Sequence, residues 1–142
     1  MASEIYVTTM VATGGREGEC VSPDRTCRFP LSVPVEMGGS GGGGTNPEQL
    51  FSAGYASCFL GALGLAARRK HVSLPDDTKV SATVHLHTQD KGYGISVDLA
   101  VDIPSMHTEQ AQTLAALAHS ICPYSRALTS GAPVSVNVVR PD

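Results

Sequence analysis

The clearest pattern in the sequence is an alternation of apolar and polar residues, which occurs in two stretches. Residues 79–87 and 94–103 each place an apolar face opposite a polar face, with turn residues at 90–92 between them. This pattern is typical of an antiparallel hairpin with one solvated face. Shorter β-rich stretches at 5–12 and 134–139 predict further strands near the two ends of the chain.

Residues 18–34 are predicted to form a second hairpin. Pro23 and Asp24 suit the two central positions of its turn, because proline fixes φ at the first of them. In that register Cys20 and Cys27 would be direct cross-strand neighbours. We expect both to be reduced, structural thiols, with a disulfide between them as the alternative on oxidation.

The strongest helix signal follows a glycine-rich loop at 38–44. Asn46 is a good N-cap and Pro47 suits the first helical position, while residues 50–67 carry no charge and basic residues follow at 68–70. The segment is long enough to cross a membrane. It consists mainly of Gly, Ala, Ser and Cys, and no second span accompanies it, so we interpret it as a helix buried on all sides at the centre of the fold.

The glycine-rich loop at 38–44 is not predicted to bind a nucleotide. The Gly-Lys-Ser/Thr end of a phosphate-binding loop is missing, and no strand runs directly into the loop. We interpret the loop as a connector or lid.

A second helix is predicted over 108–122, where apolar residues recur with the i, i+3, i+4, i+7 spacing and place Cys122 on the buried face. Pro123 would end this helix. No repeat or linker divides the chain, so residues 1–142 are predicted to form one domain. The order of strands, helix, strands, helix and strand predicts an α+β fold, with antiparallel sheets packed on two helices.

Composition and charge narrow the classes of function. The chain has 142 residues, of which 16% are charged, and a formal net charge of −3. A chain of this length can bury a core without disulfides. Its net charge and its lack of tryptophan argue against a nucleic-acid partner or an anionic membrane. Residues 1–20 contain no apolar signal segment, so we expect a cytoplasmic protein, in which cysteines are more often catalytic or metal-binding than structural.

The residues alone leave the role of Cys58 and Cys122 open. Both lie at core-facing helix positions, where they could fill space as small apolar side chains or meet between packed helices and form a disulfide. A reactive cysteine needs a nearby cation that lowers its pKa, whereas burial in mid-helix raises the pKa. The candidate cations are Arg16, Arg25, Arg28 and Arg126.

Two further pairs have side chains that can bind metals. His119 and Cys122 are one turn apart on the second helix, and His85 and His87 share one face of a strand. No third or fourth ligand follows at a recognisable spacing, so we predict no metal site and expect solvated or capping histidines.

Two motifs resemble the organic hydroperoxide resistance branch of the OsmC-like family: TNPEQLFSAGYASCFL at 45–60 and CPYS at 122–125. The ATGGREG segment at 12–18, the glycine loop and the EQAQ helix extend the similarity to nearly the whole chain. The resemblance implies an OsmC-like α+β fold and an intertwined homodimer with active sites at the subunit interface.

The same resemblance implies a thiol-dependent peroxidase that acts on organic and lipid-derived hydroperoxides. Cys58 would be the peroxidatic cysteine and Cys122 the resolving cysteine, while Arg16 would activate Cys58 and Glu48 would hold Arg16. No bound cofactor is implied, because a dihydrolipoyl group, usually on a lipoylated protein, would serve as the reductant. A broader-specificity OsmC-like peroxidase and a thiol-based redox sensor are the alternative functions.

The position of Glu48 raises a geometric question. Along one continuous helix Glu48 and Cys58 would lie about 15 Å apart and differ by roughly 80° in azimuth. One straight helix would not bring both to the same arginine without a long reach. We therefore hypothesise that the helix begins after Glu48, or that Glu48 reaches the site from the partner subunit.

Overall fold

A computed structural model describes residues 2–139 of the chain. These residues form two compact units, one that ends at Phe51 and one that begins at Ser52. Their regular structure consists of two antiparallel sheets and three α-helices, with two short 3₁₀ helices. The predicted α+β class is therefore confirmed, while the assignment of residues 1–142 to a single domain stays a prediction.

The first unit contains a small antiparallel sheet. Its strands β1 (Val11–Thr13), β2 (Glu19–Val21) and β3 (Arg28–Pro30) pair in that order. Strand β1 thus covers only the end of the β-rich stretch predicted at 5–12. Residues 2–10 have no regular structure, and Ile5 is 94% exposed.

The hairpin formed by β2 and β3 is confirmed, but its predicted register is wrong. Pro23 and Asp24 do occupy the central turn positions, because the Arg25 N–H donates to the Ser22 carbonyl at 2.8 Å. Arg25 then takes a left-handed φ of 64°, and Ser22 pairs with Cys27. The extra left-handed residue is needed because the twist of a type I turn does not match that of the two strands.

The corrected register separates the two cysteines of this hairpin. Cys20 lies opposite Phe29 and not opposite Cys27. All four cysteines of the chain are free thiols, in line with the expectation that Cys20 and Cys27 are reduced. The structure therefore removes the cross-strand contact on which a disulfide between them would depend.

Helix α1 spans Pro47–Arg69 and begins where the sequence predicts. The Asn46 Oδ1 atom accepts a hydrogen bond from the Gln49 backbone N–H at 2.8 Å. This bond satisfies one of the amides that a helix start leaves unpaired. Arg68 and Arg69 lie in the last turn, where the helix dipole favours positive charge.

The substitution Asn46→Ala should lower the free energy of unfolding by about 1 kcal/mol, because the helix start loses its side-chain acceptor. Urea denaturation followed by circular dichroism measures the change. Asn46→Asp is the matched control, since it keeps an acceptor oxygen and should stay within about 0.5 kcal/mol of the parent. An equal loss in both variants would contradict the capping role.

Helix α1 is buried on one face only in the single chain, so the prediction of burial on all sides is wrong. The buried residues recur at helical spacing and are Tyr55, Phe59, Ala62, Leu63, Ala66 and Ala67. On the other side Ala53, Ser57 and Leu60 are exposed, because a single chain supplies packing partners to one face. By length and composition α1 is the one helix among residues 2–139 that could cross a membrane. The core helix of a water-soluble fold passes the same test.

The second unit contains a long antiparallel hairpin. Strand β4 (Lys79–Gln89) pairs with strand β5 (Gly92–Asp102) along its full length. Val84 lies opposite Val97, and the pairs on the same face are Val80 with Val101, Ala82 with Leu99, and Leu86 with Ile95. The hairpin and its apolar face are therefore confirmed, with each strand a little longer than predicted.

Helix α2 (Thr108–Ile121) confirms the second predicted helix, and Cys122 follows it directly. A third helix, α3 (Pro123–Ser130), was not predicted. Pro123 ends α2 and also occupies the first position of α3, where proline is favoured. The sequence interpretation used Pro123 only as a stop signal and so missed the helix that it starts.

The strand predicted at 134–139 is not found in the described part of the chain. Residues 131–139 have no regular structure, and Val134, Val136 and Val138 are 85%, 90% and 86% exposed. The alternation of apolar residues is present. A β-strand forms hydrogen bonds with a neighbouring strand, and residues 134–139 have no such neighbour among residues 2–139.

Candidate active site

Arg16 and Glu48 form a bidentate ion pair in the first unit. Arg16 lies in a short 3₁₀ helix, Gly15–Glu17. Gly14 and Gly15 precede it with φ values of 77° and 62°, which glycine adopts at no steric cost. The Arg16 Nη1 and Nη2 groups donate to Glu48 Oε1 and Oε2 at 2.7 and 2.9 Å. Two parallel bonds of this kind fix the orientation of the guanidinium plane.

Both hypotheses about Glu48 are wrong. Glu48 lies inside α1, whose first residue is Pro47, and it binds Arg16 of its own chain. The physical reason is that Arg16 comes from a separate 3₁₀ helix of the same chain and meets Glu48 in the first turn of α1. A carboxylate in that turn is also favoured by the positive end of the helix dipole.

The ion pair is held in its charged form. The hydrogen bond to Glu48, helped by the carboxylate charge, raises the pKa of Arg16 above its usual value. The hydrogen bond from Arg16 lowers the pKa of Glu48, against the opposing effect of partial burial. The two side chains remain 38% and 24% exposed, so solvent screens the pair and its contribution to stability is modest.

The substitution Glu48→Gln should destabilise the protein at neutral pH and lose that effect in acid. Because the folded-state pKa of Glu48 is depressed, the pair stabilises the fold above the unfolded pKa of about 4.3, and this contribution is lost as pH falls through the folded pKa. We expect a loss of about 0.5–1 kcal/mol at pH 7 for this partly exposed pair. Urea titrations over a range of pH measure it, and a difference that does not change with pH would contradict the assignment.

The second unit brings Cys58 and Cys122 into contact. The Cys122 thiol lies 3.6 Å from Cys58 Sγ, and both are free thiols. Cys58 in α1 is partly exposed, whereas Cys122, at the junction of α2 and α3, is fully buried. Since a disulfide has an S–S distance of about 2.05 Å, a small movement of the side chains would join the two sulfurs.

Burial raises the pKa of the Cys58 thiol, and the adjacent Cys122 thiol raises it further. The Tyr124 backbone N–H acts in the opposite direction, because an amide that donates to sulfur favours the thiolate. The thiolate is the nucleophilic form of cysteine. A nearby positive charge would act in the same direction as this amide and favour the thiolate further.

The other candidate cations have different partners. Arg25 and Arg28 both form ion pairs with Glu19 beside the first sheet. Arg126 donates to a backbone carbonyl of α2 at 3.2 Å. Of the four arginines named from the sequence, Arg16 is the one held by two hydrogen bonds to a single carboxylate.

Four residues beside the sulfur pair were not singled out from the sequence. The Tyr55 hydroxyl and Ser125 Oγ form a buried hydrogen bond of 2.7 Å, and the rings of Tyr55 and Tyr124 stack with centroids 5.6 Å apart. Gly54 faces the Tyr124 hydroxyl, and a Cβ atom at Gly54 would come within 2.7 Å of its oxygen. The CPYS motif contains two of these residues, but the interpretation used only its cysteine.

The histidine pairs do not assemble into a metal centre within residues 2–139. His119 is exposed whereas Cys122 is buried, so the two side chains have different surroundings. His85 and His87 are exposed, as predicted, and their rings hydrogen-bond to polar side chains of β5. Among these residues no group of three His, Cys, Asp or Glu side chains is placed to hold a metal ion.

The sequence is similar to those of known proteins along nearly its whole length. The family model for OsmC-like proteins matches residues 39–137. The organic hydroperoxide resistance protein of Xanthomonas axonopodis pv. citri is 42% identical over 134 residues, which are 94% of each chain. The organic hydroperoxide resistance protein OhrA of Bacillus subtilis is 37% identical over 141 residues, which are 97% of this chain and 99% of that protein.

Solved structures show the same similarity. An organic hydroperoxide resistance protein OsmC from Legionella pneumophila superimposes with a TM-score of 0.83 at 39% identity, over 91% of this chain and 93% of that one. OhrB of Bacillus subtilis superimposes with a TM-score of 0.78 at 37% identity, over 88% and 92%. These relatives support a role in resistance to peroxides. The chain therefore belongs to the OsmC-like family, within its organic hydroperoxide resistance branch.

Proposed function

We propose that the chain is a thiol-dependent peroxidase that reduces organic hydroperoxides to alcohols. The observation that carries the proposal is the pair of free sulfurs of Cys58 and Cys122, 3.6 Å apart. Cys58 is partly exposed and Cys122 is buried beside it, an arrangement suited to a peroxidatic and a resolving cysteine. Relatives named for organic hydroperoxide resistance support the substrate class.

The proposed reaction has two steps on the protein. The Cys58 thiolate attacks the terminal oxygen of the hydroperoxide, the O–O bond breaks, and the alkoxide takes a proton and leaves as an alcohol. Cys58 becomes a sulfenic acid. The Cys122 sulfur then attacks the Cys58 sulfur, the S–O bond breaks, water leaves, and a Cys58–Cys122 disulfide forms. The two thiols thereby supply the two electrons that reduce the peroxide.

Arg16 is proposed as the cation that stabilises the Cys58 thiolate, with Glu48 as the carboxylate that orients Arg16. The bidentate geometry of the Arg16–Glu48 pair supports the orienting role. The need for a cation follows from the burial that raises the pKa of Cys58. In this scheme Glu48 acts through Arg16 and does not touch the reacting sulfur.

Organic hydroperoxides are proposed as better substrates than hydrogen peroxide. The helix that carries Cys58 consists mainly of small and apolar residues, and Leu60 is exposed close to it in sequence. Each methylene group of an alkyl peroxide that is buried on such a surface contributes about 0.8 kcal/mol. Hydrogen peroxide has no carbon and therefore gains no binding free energy from the burial of methylene groups.

A dihydrolipoyl dithiol, as on a lipoylated protein, is proposed as the reductant. Thiol–disulfide exchange with an external dithiol restores both cysteines, so the cycle needs no bound cofactor and no metal. The cytoplasm is the proposed compartment, because a cycle through free thiols requires a reducing environment.

A homodimer is proposed as the active form. Apolar residues at both ends of the described chain are open to solvent, with Ile5 94% and Val136 90% exposed. The sheet of β4 and β5 has two strands only, and unpaired sheet edges accept strands from another chain. A second copy of the chain would supply the neighbours that these segments lack.

Steady-state peroxide consumption tests the proposed function. The purified protein receives cumene hydroperoxide or hydrogen peroxide, with dihydrolipoamide or thioredoxin as reductant in turn. We expect the fastest turnover with cumene hydroperoxide and dihydrolipoamide. Equal turnover of both peroxides would indicate a broader OsmC-like peroxidase. Absence of turnover with every pair would contradict an enzymatic role and favour a redox sensor.

A further inference from the structure

The corner between α2 and α3 contacts α1 at three successive points. Cys122 meets Cys58, Ser125 meets Tyr55 through a buried hydrogen bond, and Tyr124 stacks on the Tyr55 ring. Gly54 leaves the space that the Tyr124 hydroxyl occupies. The α1 residues in these contacts lie within about one helical turn of each other.

The backbone of the corner gives these contacts a direct effect on Cys122. The Cys122 N–H donates to the Ala118 carbonyl, and the Cys122 carbonyl accepts from the Arg126 N–H. Cys122 is thereby bound to α2 on one side and to α3 on the other. A contact that holds α3 against α1 therefore also determines how far the Cys122 sulfur lies from the Cys58 sulfur.

We propose that the Tyr55–Ser125 hydrogen bond, together with Tyr124 seated on Gly54, positions Cys122 for condensation with the Cys58 sulfenic acid. This inference rests on the proposed peroxidase function. Tyr55 and Ser125 are positioning residues in the resolving step, since they act through the corner that carries Cys122. In that step the S–S bond forms, the Cys58 S–O bond breaks and water leaves, so the two hydroxyl groups are not consumed.

The contacts affect the resolving step more than the peroxide step. Resolution needs the sulfurs to close from 3.6 Å to about 2.05 Å, and it proceeds only while Cys122 stays aligned. Reaction of Cys58 with the peroxide needs no such closing movement, and it depends on the corner only through the Tyr124 backbone N–H that favours the thiolate. Loss of the Tyr55–Ser125 bond should therefore slow disulfide formation and let the sulfenic acid persist.

Rapid-mixing experiments separate the two steps. Reduced parent protein, Tyr55→Phe, Ser125→Ala and the double variant are each mixed with cumene hydroperoxide. Samples quenched with dimedone report Cys58 sulfenic acid by mass spectrometry, and free-thiol loss at Cys122 reports the disulfide. We expect each single variant to form sulfenic acid within about twofold of the parent rate but to form disulfide about tenfold or more slowly, because a misplacement of about 1 Å can cost about 10²-fold.

The double variant tests whether the two hydroxyl groups act as one unit. Tyr55→Phe and Ser125→Ala each remove the same hydrogen bond, so the double variant should be about as slow in disulfide formation as either single variant. Independent effects would multiply instead. Multiplied effects would overturn the assignment of the role to this bond.

Gly54→Ala provides a second route to the same conclusion. Its new methyl group would meet the Tyr124 hydroxyl and should slow disulfide formation while leaving both hydroxyl partners in place. The matched control is Ser120→Ala, which removes an exposed hydrogen bond to the Leu117 carbonyl in the same segment of α2. The control should keep both rates within about twofold of the parent, as a surface change away from the contact.

Several results would overturn the inference. Unchanged disulfide formation in folded Tyr55→Phe and Gly54→Ala would do so, as would a peroxide step slowed as much as the resolving step. If one of these variants fails to fold, the rates of the peroxide step and of disulfide formation in the remaining folded variants decide the question. Failure of the proposed function is distinguishable, because the parent protein would then give neither a dimedone adduct at Cys58 nor a Cys58–Cys122 disulfide. In that case exchange of the reduced thiols with oxidised lipoamide still reports the sulfur alignment, and equal exchange rates in parent and variants would reject the positioning role.

Discussion

The substitution Cys58→Ser should abolish turnover of cumene hydroperoxide. Serine has nearly the same size but no accessible oxyanion at neutral pH, so the proposed nucleophile is removed while the contact with Cys122 remains filled. We expect a loss on the order of 10⁴-fold or more, given that deletion of an enzyme nucleophile can cost about 10⁶-fold. Steady-state peroxide consumption with dihydrolipoamide measures the loss.

The control for this prediction is Cys20→Ser. Cys20 is also partly buried and free, but it lies in the first sheet opposite Phe29 and has no role in the proposed cycle. Its turnover should match that of the parent. Substantial activity in Cys58→Ser, or an equal loss in Cys20→Ser, would contradict the assignment of Cys58 as the peroxidatic cysteine.

The substitution Arg16→Ala should shift the pH dependence of the peroxide step to higher pH. Burial already raises the pKa of Cys58. In the proposed scheme the charge of Arg16 lowers that pKa, and the alanine variant lacks this charge. A neighbouring opposite charge typically shifts a pKa by about 1–3 units, so the rate at pH 7 should fall by about 10- to 10³-fold. Above the pKa values of both proteins the two rates should converge, because the thiolate is then fully formed in each.

Single-turnover rates of the peroxide step between about pH 5 and pH 10, a span that brackets the usual thiol pKa, measure this shift. Arg25→Ala is the matched control, since Arg25 is an exposed loop arginine that pairs with Glu19. It should leave the profile in place. A parallel loss in Arg16→Ala at every pH, with no displacement of the profile, would mean that Arg16 does not act on the pKa of Cys58.

Local signals in the sequence predicted much of the fold. The N-cap at Asn46 and the basic end of α1 determine that helix, and both depend on neighbouring residues along the chain. The alternation in β4 and β5 predicted their pairing because a short turn sets the register directly. The buried face of α2 likewise placed Cys122 where it lies.

Three predictions about the fold were wrong because the features concerned depend on backbone conformation or on neighbouring elements, and not on the local sequence pattern alone. The register of the β2–β3 hairpin depended on a left-handed Arg25, which is unusual for a residue with a side chain. Residues 134–139 alternate correctly but have no strand beside them in the described chain. Helix α1 was expected to be surrounded, and a single chain covers one of its faces.

In the candidate site, too, some features could be predicted from the sequence and others required the structure. The motifs identified Cys58, Cys122, Arg16 and Glu48 by resemblance, and the residues alone could not choose among the arginines. The contact between the two sulfurs and the bidentate contact of Arg16 with Glu48 required the structure. Tyr55 and Ser125 were missed because a hydrogen bond between positions far apart in the sequence leaves no periodic signal.

The most direct test of the central claim is to identify the disulfide that one equivalent of cumene hydroperoxide produces. The reduced protein is oxidised, alkylated without reductant, digested, and mapped by mass spectrometry. Our account predicts a peptide pair joined through Cys58 and Cys122, with Cys20 and Cys27 alkylated as free thiols. A Cys20–Cys27 linkage as the main product, or four alkylated cysteines with the peroxide unconsumed, would contradict it.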